Sequence, residues 1–241
     1  MAKQKSNTGI YILLLICGII IGAAGMFLVM NLASKDKKAE TQAAQTESIL
    51  ETEESSVEDP TPTDETEILV IKVNDSGITM KEINIYMYQL RDFYTAQYGE
   101  APWDTVLEDG TTLRDYAKED LKKGLVRTEI LISKAVEYGV SLTDEEKQDC
   151  ANEAKNYIAS IGPVICEDFA LTEEADALVL EKQLLSTKVY NAALEKLAET
   201  EEDTSEAALA EAFEEMYAAW EQEYTITEDP LWENVIMGSV G

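Results

Sequence analysis

An unbroken apolar run from Ile10 to Leu32 constrains this chain more than any other feature. It reads IYILLLICGIIIGAAGMFLVMNL and contains no charged residue. Backbone placed in hydrocarbon must satisfy its own N–H and C=O groups, and a lone segment does so only as a helix. At ~1.5 Å per residue the run reaches about 34 Å, enough to cross a bilayer with some tilt. A cleaved signal peptide is the competing reading. Its apolar core would be shorter, about 7–15 residues, and would end at a small-residue site. Ala23-Ala24-Gly25 offers such a site, but Met26 to Met30 carries the apolar run past it. An uncleaved anchor over residues 10–32 is therefore expected. Cys17 follows Ile16, a poor residue before a lipidated cysteine, and reads as a small apolar side chain in lipid. Gly18 and Gly22 have the small-residue spacing of packed membrane helices, a spacing that also arises by chance.

Flanking charge does not orient the anchor. Lys3 and Lys5 precede it, and Lys35, Lys37 and Lys38 follow it beside Asp36. Beyond Lys38 the balance is one-sided, with fourteen Lys and Arg against forty-seven Asp and Glu. Such a field repels nucleic-acid phosphates, and no basic stripe relieves it, so no nucleic-acid partner is expected. The chain has no histidine. That removes Ser-His-Asp and Cys-His nucleophile systems and histidine-containing zinc sites. The acidic clusters Asp144-Glu145-Glu146 and Glu199 to Asp203 lack the alternating ligands and turn glycine of a calcium loop. No metal, cofactor or catalytic residue is expected.

Residues 33–67 follow as a linker. From Ala39 to Glu67 there are ten Asp and Glu and no Lys or Arg, with Pro60 and Pro62 and almost no apolar residues. Such a stretch cannot bury enough surface to offset the entropy of ordering, so an extended, disordered leash is expected.

Periodic patterning begins at Ile68. Ile68 to Val73 is short, apolar and β-branched, a strand, and Asn74-Asp75-Ser76-Gly77 is a turn by composition. Thr79 and Glu82 form a capping box before a helix that stops at Tyr98-Gly99. Thr112 opens a second helix, expected to run to Tyr138-Gly139. Thr143 and Glu146 cap a third, which breaks at Gly162-Pro163. Thr172 caps a fourth, whose apolar face includes Leu178, Val179, Lys182 and Leu185, and Ser205 opens a fifth. Glu223 to Thr227 reads as a strand, and pairing with Ile68 to Val73 would tie the domain's two ends together. The expectation is a mainly α domain over residues 68–241 with a small β element.

The wording and order of these pieces resemble the N-terminal helical chaperone domain of the SurA/PrsA foldase family, whose fold is similar to the peptide-binding region of trigger factor. The resemblance opens at Lys72 to Glu82 (KVNDSGITMKE), runs through Gln97-Tyr98-Gly99 and Trp103, and includes Ala135 to Gly139 and Val140 to Glu146. It covers about Ile68 to Leu197. It implies a single-pass cell-membrane protein with residues 1–9 in the cytoplasm and an extracytoplasmic domain that binds unfolded or exported polypeptides. The chain departs from the family where many members carry a parvulin isomerase domain. Such sites use paired histidines and a Gly-rich segment, and both are missing here, so isomerase activity is not carried over.

The candidate client-binding residues are Tyr86, Met87, Tyr88, Phe93, Tyr94, Tyr98 and Trp103, because adaptable Met and aromatic groups suit varied apolar segments. A stripe at helical spacing is more often core. Tyr88 lies off the stripe and is the better surface candidate. Cys150 and Cys166 would pair poorly, since a helical reversal at Gly162-Pro163 leaves them about 10 Å out of level, against ~7 Å for bridging Cα atoms. Two other function classes remain open: a membrane-tethered scaffold for one protein partner, and an isomerase with an unrecognised site.

Overall fold

The computed structural model describes residues 68–98 and 102–238. The expected anchor over residues 10–32, Cys17 and the acidic linker lie outside the described residues. Among the described residues, no helix is long and apolar enough to cross a membrane. The described residues form a mainly helical domain, with six α-helices and one three-stranded sheet among them.

Strand β1 (Leu69–Val73) turns through Asn74 and Asp75 into β2 (Ser76–Thr79). Asn74 takes a φ of 53°, which Asn tolerates better than most residues. The expected turn is thus two residues shorter, because Ser76 and Gly77 join β2 opposite Val73 and Lys72. Gly77 has to lack a side chain: a Cβ there would stand 2.2 Å from the Ile71 carbonyl oxygen. Strand β3 (Ile226–Glu228) pairs antiparallel with β1, Val73 opposite Ile226 and Ile71 opposite Glu228. The sheet order is β2-β1-β3, so the chain's late segment does close onto its first strand. Asn74 seals that closure by exchanging hydrogen bonds with the Thr225 backbone, each 2.9 Å.

Helix α1 (Met80–Tyr98) starts at the expected capping box, with Thr79 N–H donating to Glu82 Oε2 at 2.9 Å. Helix α2 (Leu113–Ser133) is capped by Thr112, as expected, but ends early. At Lys134 and Ala135 the backbone N–H groups bond three residues back rather than four, tightening the chain into turns that lead to Gly139 at φ 65°. Helix α3 (Asp144–Ile161) carries both halves of the Thr143–Glu146 capping box. Gly162 breaks it at φ 89°, and Pro163 opens a short helix that the periodicity did not reveal, α4 (Pro163–Asp168). Thr172 caps α5 (Glu173–Ala198) and Ser205 caps α6 (Glu206–Glu221).

Helix α5 is the hub, packing against α1, α2, α3 and α6. Its inward residues Ala175, Val179, Val189 and Ala193 are small or β-branched, which lets neighbouring backbones approach closely. Arg127 of α2 joins α6 through a two-pronged pair with Glu214 (2.8 and 2.6 Å) while its guanidinium lies 4.5 Å from the Tyr217 ring centre. The tail after β3 folds under α2: Trp232, Val235 and Met237 are buried, and the Lys118 ammonium sits 5.2 Å from the Trp232 ring.

Candidate polypeptide-binding surface

The aromatic face of α1 is where the sequence places client contacts, and the fold spends it on the core. Tyr86, Met87, Tyr94 and Trp103 are buried, and Phe93 is half-buried. Phe93 and Trp103 meet Tyr94 edge-on, with ring centres 5.4 and 5.1 Å away. Tyr88 is a clear correction, with only 7% exposed. Phe169, just beyond α4, meets it edge-on at 5.2 Å, and Arg91 lies 4.9 Å over the Phe169 ring. The spacing along α1 could not show this cover, because it arrives from a segment about 80 residues away. Tyr98 is the last residue of α1, and its side chain lies outside the described set.

Uncovered apolar side chains among the described residues lie elsewhere and are scattered, with Val136 the most exposed and Val106 also open; one adjacent pair occurs on α4. Val164 and Ile165, adjacent on α4, are 70% and 38% exposed, and Leu178 on α5 is also exposed. The expectation that Leu178 belongs to the buried face of its helix is corrected: Ala175, Asp176 and Val179 take that face. Val164 and Ile165 sit on a firmly held corner. The Cys166 thiol approaches the Ile158 carbonyl oxygen at 3.6 Å, and the Leu171 N–H returns to the Cys166 carbonyl at 2.8 Å. The surrounding stretch, residues 144–181, holds eleven Asp and Glu against two basic residues, Lys147 and Lys155.

The interior also holds a polar seam, centred on Lys182 of α5, that periodicity did not single out. Lys182 was expected on the apolar face of α5, and an ammonium there requires partners. It has three acceptors: Glu82 Oε1 at 2.6 Å, Glu129 Oε1 at 2.7 Å and the Gly77 carbonyl oxygen at 3.0 Å. Burial alone pulls the Lys182 pKa down, and the two carboxylates reverse this, leaving it raised and the amine charged. Further along α5, Asp176 is 1% exposed and accepts one long hydrogen bond, 3.5 Å, from the Gln89 amide. Burial, aided by the nearby Glu153 carboxylate, pushes its pKa up to about 7.

Cys150 and Cys166 are not joined to each other. Cys150 is buried, and burial together with Glu181, Glu153, Asp149 and Glu146 pushes its thiol up to about 11. A thiol so shifted is a poor nucleophile at neutral pH. Alkylation of the native protein at pH 7.5 should leave Cys150 unmodified, and denaturant should expose it. Mass-spectrometric mapping that finds Cys150 labelled as fast in the native state would refute this. Among the described residues no group of three or more Asp, Glu or Cys is placed to hold a metal ion.

Comparison of the chain with family models, with curated proteins and with solved structures finds no match.

Proposed function

We propose that this chain is a membrane-anchored, extracytoplasmic polypeptide-binding protein of the SurA/PrsA foldase type, acting as a holdase without an isomerase site. The observation that carries this reading is the exposed pair Val164 and Ile165 on α4, beside the exposed carboxylates Glu167 and Asp168. The resemblance along Ile68 to Leu197 supplies the orientation, and residues 33–67 supply the leash between bilayer and domain. The chemistry supports binding over catalysis: the buried lysine is charged and fully engaged, and the buried thiol is held protonated.

A second reading has its own support. Sealing the α1 aromatics in the core removes the broad apolar cradle that varied clients would need, which favours a scaffold that recognises one partner. Full-length protein in detergent micelles, mixed with several unrelated chemically unfolded proteins, separates the two. A holdase suppresses their aggregation at near-stoichiometric amounts. Suppression of none, or of one alone, would overturn the holdase reading in favour of the scaffold. Catalysis of prolyl isomerisation in a short peptide would overturn both.

A further inference from the structure

Resting on the polypeptide-binding reading, we infer that the α3–α4–α5 corner docks a cationic partner segment in which Lys or Arg flanks one or two large apolar side chains. Two adjacent observations define the occupant. Val164 is largely open and Ile165 partly so, and together they offer an apolar contact. Close to them in the chain, Glu167 and Asp168 are exposed on the same short helix, and the exposed Glu173 and Glu174 open α5 just beyond it, with Arg91 the cation held over Phe169. An apolar contact with an acidic rim is complementary to an apolar segment with a basic rim. The same charges disfavour the other occupants. A second copy would bring a formal charge of −29 against −29, and an anionic lipid surface would be repelled for the same reason.

The corner is also ready before anything binds. Gly162 at φ 89° sets the bend, Cys166 rests on the Ile158 carbonyl, and Phe169 is wedged between Tyr88 and Arg91. Little ordering entropy is then spent on the protein's side.

The test uses the full chain in detergent micelles and a fluorescein-labelled peptide with a Leu-rich centre flanked by lysines. Its counterpart has every Lys replaced by Glu. Anisotropy should show the lysine peptide binding and the glutamate peptide binding at least about ten-fold more weakly, with the preference shrinking as salt rises. The double variant Val164→Ser, Ile165→Ser touches no residue of the buried core, and circular dichroism should confirm that it folds as the parent does. It should bind the lysine peptide about ten-fold more weakly. Unchanged binding by the double variant, or equal binding of both peptides, would overturn the docking site while leaving the holdase reading standing if aggregation suppression persists. Failure of the parent to bind either peptide or to suppress aggregation would overturn both. A shift in sedimentation by the double variant alone would hand the face to a second copy and overturn the cationic occupant.

Discussion

Replacing Lys182 with Met should cost about 3–5 kcal/mol of folding stability, enough to threaten a domain of this size. Glu82 and Glu129 are both nearly inaccessible, and Lys182 is the cation between them, at 2.6 and 2.7 Å. Removing it leaves two carboxylates facing each other in a poorly hydrated interior, and the Gly77 carbonyl loses its donor as well. The loss is chiefly the penalty of stranded charge, not the worth of the pair. A rescue follows: Lys182→Met combined with Glu129→Gln and Glu82→Gln should recover most of the loss. Urea melts at pH 7 measure this. A single variant as stable as the parent, or a triple variant no better than the single, would show that the seam is not anhydrous enough for this argument.

Asp176→Asn should make the protein more stable, by an amount that grows as pH rises from about 4 and levels off above about 7. The folded pKa of Asp176 is raised to about 7 from an ordinary value of 3.8, first by burial and then by Glu153. Between those values the folded state keeps a proton that the unfolded chain has released. Stability contributed by the protonated carboxyl is therefore present below about pH 4 and is lost as pH rises through about 7. A shift of this size corresponds to about 2–4 kcal/mol once the carboxylate is forced to ionise. An isosteric carboxamide removes that cost. It also brings an N–H toward the buried Gln89 Oε1, which has no hydrogen-bond partner among the described residues. Facing groups are Gln89 from α1 and Glu153 and Tyr157 from α3, and the Tyr157 phenol is itself pushed up by burial. Melting temperature should differ little between parent and variant at pH 4 and diverge in the variant's favour by pH 8. Parallel profiles across that range would mean that Asp176 does not carry the proton.

The caps were readable because they are local chemistry. Thr79, Thr112, Thr143, Thr172 and Ser205 each satisfy a backbone N–H three residues on, a contact that depends on no distant partner. Of the candidate site little was readable. The stripe from Tyr86 to Tyr94 has the spacing of a face, but spacing does not reveal what the face meets. Val164 and Ile165 drew no notice, because a six-residue helix is too short to show a period. Lys182 was visible as a charge among apolar neighbours, the one signal that could have led to the seam.

Sequence by itself determined where the long helices begin and where Gly162-Pro163 breaks them; a strand late in the chain was only suggested, over Glu223 to Thr227, and the strand that forms is Ile226–Glu228. Capping, turn chemistry and periodicity act within a few residues, so they survive in one dimension. Only the tertiary structure decided that β3 pairs with β1 in register, that Phe169 shuts Tyr88 away, and that Glu82, a helix cap by its one oxygen, is an ion-pair partner by its other. Those outcomes depend on segments roughly 80 to 160 residues apart meeting in space, and burial is a property of that meeting and not of any residue alone.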